Sequence, residues 1–151
     1  MPPDVMWAMC EIFLTGQRAD LALITALAFY GFLRTTEALC LRKGQLHFAN
    51  TLERVVMHLW DTKTSARKGH LETVTVEEPL IVKRLAQYIR KLEPGDTVLS
   101  CPPRQYYYFF KCALARLKLE PDYKPYSLRR GGASSHFRTY GNLNRTQSIG
   151  R

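Results

Sequence analysis

Residues 46–76, LHFANTLERVVMHLWDTKTSARKGHLETVTV, interrupt an otherwise helical sequence and decide its fold class. Three runs within this stretch, residues 46–48, 54–60 and 71–76, are rich in β-branched or aromatic residues and partly alternate between apolar and polar positions. Such runs, separated by polar or glycine-containing connections, predict a small antiparallel sheet of three strands. Residues 61–70 are then a long, basic hairpin loop between the second and third strands.

Apolar residues at helical spacing predict helices on both sides of this sheet. The predicted helices are residues 5–14, 21–33, 35–41, 78–92, 102–119, 126–140 and 144–149. Asp20 stands where an N-cap of the second helix is expected. The order of helices, three strands and helices predicts a mainly α domain with a small antiparallel three-stranded sheet at one edge, an α+β fold.

The charge of the chain indicates a polyanionic partner. The net charge is +9 and the pI is about 9.6. No acid follows Asp122, whereas six bases do: Lys124, Arg129, Arg130, Arg138, Arg145 and Arg151. A second basic run comprises Lys63, Arg67 and Lys68. Nucleic acid is the favoured partner, because bases that neutralise phosphates release condensed counterions. A merely solvated charged face is the alternative, whereas neither run has the amphipathic pattern of a membrane-surface helix.

Cysteine and histidine spacing excludes the common zinc motifs. Cys10, Cys40, Cys101 and Cys112 contain no CxxC pair and no zinc-like spacing with a histidine. We therefore expect buried free thiols in a reducing compartment. No apolar run reaches the ~18–20 residues of a membrane span, and no signal peptide follows Met1. The sequence thus predicts a soluble intracellular protein, cytoplasmic in a prokaryote or phage and nuclear in a eukaryote.

The first segment suited to phosphate binding is Arg34-Thr35-Thr36-Glu37, at the junction between an apolar helix and a short one. An arginine there lies near a helix N-terminus, where anions are favoured. Glu37 lies three residues on, on the same helical face, and is placed to orient the guanidinium of Arg34. A surface Arg–Glu pair is the alternative interpretation of this segment.

The second segment is Thr62-Lys63-Thr64, with Arg67 and Lys68 just beyond it. A lysine on a hairpin can reach into a site and deliver a proton. Taken alone, Lys63 also fits an ordinary solvated side chain.

The third segment is YSLRRGGA, residues 126–133. Tyr126 and Arg129 are three residues apart and therefore share a helical face. Gly131, Gly132 and Ala133 allow another backbone, or a DNA strand, to approach closely. A basic helix with tight packing is the alternative.

Together, and in this order, the three segments resemble the catalytic domain of the tyrosine recombinases, the phage-integrase family. In that family an RxxE motif follows an apolar helix, a lysine lies in a β-hairpin, and an HxxR motif opens a later helix. The resemblance covers about residues 5–151 and implies the tyrosine-recombinase catalytic-domain fold. It also implies double-stranded DNA as the partner, no cofactor or metal, and a synaptic tetramer in the complete protein. The bases expected to contact DNA around the site are Arg67, Lys68, Lys124, Arg130, Arg138 and Arg145.

The resemblance also implies a role for each site residue. A family enzyme attacks the scissile phosphate with a tyrosine, forms a 3′-phosphotyrosyl bond, and reverses the step with a 5′-hydroxyl. Arg34 and Arg129 would hold the non-bridging oxygens, and Lys63 would protonate the leaving 5′-oxygen. Tyr126 would be a phosphate ligand, and Glu37 would orient Arg34 without contacting the phosphate itself.

Two departures from the family pattern affect the predicted function. Tyr126 stands where the family usually has histidine, and a phenol with a pKa near 10 is a poorer proton shuttle at neutral pH. The family's later His or Trp falls at or just beyond Arg151, and its nucleophilic tyrosine falls beyond that; Tyr140 is too early. We therefore expect residues 1–151 to be a C-terminally incomplete catalytic domain without the family's N-terminal DNA-binding domain.

Three functions remain open from the sequence. The first is site-specific DNA recombination or integration by the complete protein. The second is a catalytically inactive DNA-binding module derived from a mobile-element recombinase. The third is a basic structural or RNA-binding protein.

The aromatic run at residues 106–110, YYYFF, has the composition of a base-stacking platform. Consecutive positions on a helix point in all directions, so core packing with one exposed ring is favoured. His136 and Trp60 are interpreted as structural residues.

Overall fold

The computed structural model describes residues 1–59, 72–119 and 123–142, together with Asn144, Thr146 and Ile149. The predictions made for Trp60, for the loop at residues 61–70 and for Arg145 lie outside the described residues.

The described residues form six α-helices close to the predicted positions. They are α1 (Pro3–Thr15), α2 (Ala19–Tyr30), α3 (Thr35–Leu39), α4 (Pro79–Tyr88), α5 (Pro103–Arg116) and α6 (Tyr126–Tyr140). Short 3₁₀ turns follow α3 and α4 at Lys43–Gln45 and Ile89–Lys91. Proline opens α1, α4 and α5, where its missing N–H costs nothing because the first turn has no internal acceptor for it.

Within the described ranges the strands form the predicted antiparallel three-stranded sheet. Strand β1 (Leu46–Phe48) pairs with β2 (Val55–Leu59), and β2 pairs with β3 (Glu72–Val76). Along β2 every second residue is buried, so one face of the sheet covers the core. The last residue of β2, Leu59, lies opposite the first residue of β3, Glu72.

Helix α2 is the central element of the core. Its residues from Asp20 to Phe29 are all buried, as expected for a helix that is apolar on every side. Helices α1, α4 and α6 pack against it. The end of α2 therefore lies in a fixed position, from which the chain turns into α3.

The predicted capping role of Asp20 is wrong. Arg18 occupies the N-cap position, and Asp20 lies within the first turn of α2. The Asp20 carboxylate accepts hydrogen bonds from Arg18 Nε and Nη2 at 3.0 and 2.9 Å. It also accepts bonds from Ser100 N and Oγ at 3.1 and 2.6 Å. A buried carboxylate needs several hydrogen-bond donors. Arg18, the N-cap residue of α2, and Ser100, which precedes α5, supply them to Asp20.

Helix α2 also ends earlier than predicted, at Tyr30 instead of residue 33. Phe32 has a φ of +47°, and Leu33 N–H donates to the carbonyl of Ala28 at 3.2 Å. This pattern closes the helix with a left-handed residue. The left-handed residue at such a helix end is usually glycine. Because it is Phe32 here, the sequence does not indicate that α2 ends at Tyr30.

Burial of the thiols was predicted correctly only for Cys10. Cys40 and Cys112 are exposed, and Cys101 is half-buried; all are free. Cys40 follows the short helix α3, and Cys112 lies on the outer face of α5. Burial raises the pKa of the Cys10 thiol to about 12, with a smaller contribution from Glu11.

The aromatic run of α5 is divided between core and surface. Tyr106 and Phe110 are in the core, whereas Tyr107 and Tyr108 are both exposed, so the prediction of a single exposed ring is wrong. No helix among the described residues is long and apolar enough to cross a membrane.

Candidate functional site

Arg34 is held by Glu37 at the start of α3. Its backbone N–H donates to Glu37 Oε2, and its Nη1 donates to Glu37 Oε1, each at 2.7 Å. The Glu37 side chain is only 8% exposed, whereas that of Arg34 is 35% exposed. One carboxylate thus satisfies a helix N-terminal donor and fixes the guanidinium of a side chain that is partly exposed to solvent.

A second carboxylate near Arg34 was missed by the sequence reasoning. Glu72 Oε2 lies 4.0 Å from Arg34 Nη1, and the Glu72 side chain is 12% exposed. Glu72 comes close to Arg34 through the pairing of β3 with β2. The signal that could have found it is strand register, because this residue lies at the start of the third predicted strand, residues 71–76.

The turn between α2 and α3 is locked by the core. Phe32, with its positive φ, is 2% exposed. A Cβ on Gly31 would come 2.9 Å from the Leu27 carbonyl oxygen and 2.9 Å from Met57 Cε. There is therefore no space for a side chain at Gly31. Close packing fixes the backbone of this turn, and with it the position from which the Arg34 side chain extends.

Helix α6 packs against the end of α2 and this turn through Gly132, and against the N-terminal residue through Gly131. A Cβ on Gly132 would come 1.9 Å from the Phe29 carbonyl oxygen, and one on Gly131 would come 2.0 Å from the Met1 carbonyl oxygen. The close approach expected at these glycines is thus made by the protein's own backbone. Arg129 is three residues before Gly132, on the same face of α6; it is half-buried, with a buried Nη1 atom.

The other bases expected near α6 are exposed and do not all share one face. Lys124, Arg130 and Arg138 are exposed, as is the Tyr126 ring at 56%. Arg130 and Arg138 line a groove between α6 and the start of α1. At about 100° per residue, Arg138 lies on the side of the helix opposite Arg129. Lys63, Arg67, Lys68 and Arg145 lie outside the described residues.

His136 links α6 to the residues that follow it. Its Nδ1 lies 2.8 Å from Thr146 Oγ1, and Thr146 Oγ1 donates to the Asn142 carbonyl at 3.0 Å. A hydroxyl has one proton to donate, so the imidazole must be the donor in the first bond. The His136 ring also packs edge-on against Phe32, with ring centroids 5.7 Å apart. These contacts fit the structural role predicted for His136.

Solved structures match this chain, although no protein-family model and no curated protein does. The XerH site-specific recombinase bound to difH substrate, in a pre-cleavage complex, matches with a TM-score of 0.74 and 15% identity over 99% of this chain and 45% of its own. XerH in a post-cleavage complex with a palindromic difH substrate gives the same values. XerA recombinase matches with a TM-score of 0.73 and 14% identity, over 99% of this chain and 54% of its own.

The predicted resemblance is therefore confirmed at the level of fold. The chain has the fold of the tyrosine-recombinase catalytic domain, and it spans about half the length of the recombinases it matches.

Proposed function

We propose that this chain binds double-stranded DNA and is the catalytic part of a recombinase that cleaves and rejoins DNA through a phosphotyrosyl link in the complete protein. One observation carries the proposal: Arg34 is fixed by Glu37 at the α2–α3 turn with its side chain partly exposed, and Gly132 packs α6, which bears Arg129, against that turn. The matching structures are of recombinases, and XerH is described as a site-specific recombinase bound to difH substrate.

The chemistry of Arg34 and Arg129 suits a phosphodiester. A guanidinium has five N–H donors in a planar fork, so Arg34 can bind Glu37 and still offer donors to a phosphate oxygen. Two such forks would neutralise the non-bridging oxygens and stabilise the charge that grows in the transition state.

Lys63 is proposed to protonate the leaving 5′-oxygen, and Tyr126 to be a phosphate ligand. Lys63 follows Leu59, the end of β2, by four residues in the sequence. Tyr126 opens α6 with an exposed ring, one turn before Arg129. The phosphotyrosyl link conserves the energy of the broken bond, so rejoining needs no nucleotide.

The surrounding bases are proposed to bind the DNA backbone. Among the described ones, Lys124, Arg130 and Arg138 are exposed; Arg67, Lys68 and Arg145 are proposed from the sequence. Since Arg138 faces away from Arg129, these bases would contact different stretches of backbone. Assembly into a synaptic tetramer is proposed for the complete protein alone.

A salt titration of DNA binding tests the proposal. Binding of a fluorescent duplex is expected to be sequence-tolerant and to weaken steeply with salt. Arg34→Ala and Arg129→Ala should weaken it by more than Arg90→Ala, which removes the same charge from an exposed position outside the site. Absence of binding at low salt, or equal losses for all three variants, would contradict the proposal.

Covalent chemistry needs a separate test. If the reading frame continues past Arg151 to a tyrosine, the extended protein is expected to form an adduct with a nicked duplex that traps the cleaved state. Arg129→Ala should reduce adduct formation by ~10²- to 10³-fold, the loss typical of one transition-state donor. Denaturing gels detect protein-linked DNA directly.

An inactive DNA-binding module is the second candidate function. It is favoured by Tyr126, whose phenol is a poorer proton shuttle at neutral pH than the family's histidine. DNA binding by the extended protein without any adduct would select this alternative. A preference for RNA over duplex DNA would instead select a basic RNA-binding protein.

A further inference from the structure

We propose that Glu72 competes with phosphate for Arg34 and so limits the affinity of this site for DNA. The inference rests on the proposed function and adds a residue that opposes binding. Its basis is the presence of two mostly buried carboxylates beside one guanidinium.

The two carboxylates contact Arg34 differently. Glu37 lies at hydrogen-bond distance, 2.7 Å from Nη1, and also accepts the backbone N–H of Arg34. Moving Glu37 away would leave a helix N-terminal donor unsatisfied, so it is the positioning partner. Glu72 lies 4.0 Å from the same Nη1, beyond hydrogen-bond length but within ion-pair reach. Glu72 can therefore yield its place without breaking a hydrogen bond to Arg34.

The charge of Glu72 opposes an anion at Arg34. One guanidinium faces two carboxylates, so these three groups together carry a net negative charge. Their side-chain exposures, 35% for Arg34, 8% for Glu37 and 12% for Glu72, place them where water screens charge incompletely. A phosphate that binds Arg34 must therefore take the place of the Glu72 carboxylate beside it.

Strand pairing holds Glu72 in this position. It begins β3 opposite Leu59, and Val74, two residues on, is buried in the core. The sequence between Leu59 and Glu72 contains Lys63, Arg67 and Lys68. Glu72 is therefore the first described residue after the segment that contains Lys63, the proposed proton donor.

Replacing Glu72 by glutamine tests the competition, because glutamine keeps the size of the side chain and removes its charge. Glu72→Gln is expected to tighten DNA binding by roughly five- to tenfold at low salt, the effect of one partly buried charge pair. Glu53→Gln is the matched control, since Glu53 is an exposed acid before β2 and its loss changes the net charge equally. We expect that control to change affinity by less than about twofold.

A double-mutant cycle identifies the route of the effect. In an Arg34→Ala background the gain from Glu72→Gln should disappear, because the competing partner is gone. Glu72→Thr, which suits a β-strand, should reproduce the gain if the glutamine variant folds poorly. Thermal melts of each variant check folding.

The outcomes separate this inference from the proposed function. If the chain binds DNA but Glu72→Gln behaves like Glu53→Gln, weakens binding, or retains its gain without Arg34, only the competition is wrong. If neither the parent chain nor Glu72→Gln binds DNA at low salt, the proposed function fails and the inference fails with it.

Discussion

Gly132 of α6 lies directly against the carbonyl oxygen of Phe29 in α2. A Cβ built on the glycine would come 1.9 Å from that oxygen and 3.0 Å from Phe32 Cδ1. The two helices therefore meet backbone to backbone, five residues before Arg34 and three residues after Arg129. Any separation of the helices at this point would change the spacing of the two arginines.

Gly132→Ala is expected to destabilise the fold severely. The new methyl group would overlap a backbone oxygen, which cannot move aside as a flexible side chain can, so the loss should be about 3 kcal/mol or more. Urea denaturation followed by circular dichroism measures it. Gly95→Ala is the control, because a Cβ at Gly95 would meet no atom within 4 Å. Equal stability of the two variants would show that α6 can shift without cost.

Asp20 is expected to make the free energy of unfolding depend on pH in the acidic range. Burial alone would raise its pKa, but hydrogen bonds from Arg18 and Ser100 outweigh burial and lower the pKa to about 2, from an ordinary value of 3.8. Since the folded-state pKa is the lower one, ionised Asp20 stabilises the fold above the ordinary pKa. That contribution, about 2 kcal/mol, is lost as the pH falls towards 2.

Asp20→Asn tests this contribution. The variant should be less stable than the parent at pH 7, and the difference should shrink as the pH falls from about 4 towards 2. Glu53→Gln, which removes an exposed acid, should show no comparable change. A difference between parent and Asp20→Asn that is constant with pH would contradict the predicted shift. Denaturant unfolding at several pH values measures it.

Thr146 is expected to hold the residues after α6 through its hydroxyl. Thr146→Val keeps the shape of the side chain but removes the acceptor for His136 Nδ1–H and the donor to Asn142, which should cost about 1 kcal/mol. Hydrogen exchange of the Thr146 amide, which bonds to the Asn142 carbonyl, should become faster. Thr139→Val is the matched control, since Thr139 is exposed and its hydroxyl donates to the carbonyl of Ser135, one turn earlier in the same helix. Equal effects of both changes would mean that the His136 contact contributes nothing.

The elements of the fold could be predicted because their signals are local. Alternation along 54–60 and 71–76 indicates strands, and Pro79 and Pro103 each mark the start of a helix. What could not be predicted depends on distant residues. The partner of Asp20, Ser100, lies 80 residues away, and Glu72 comes near Arg34 only through strand register. At Phe32 the left-handed turn is imposed by core packing on a residue that does not favour it.

Tyr126 stands where the resemblance to the tyrosine recombinases places histidine, and Tyr126→His tests whether position 126 would lie beside DNA in the proposed complex. The Tyr126 ring is 56% exposed, so Tyr126→His should leave the stability of the fold nearly unchanged. An imidazole with an ordinary pKa near 6.5 gains a positive charge as the pH falls. The variant should therefore bind duplex DNA about threefold more tightly than the parent at pH 6 and equally at pH 8. Tyr108→His places the same titrating group at a more exposed position on α5 and should show a weaker dependence on pH. Matching pH profiles for the two variants would show that position 126 is no closer to a phosphate than the outer face of α5.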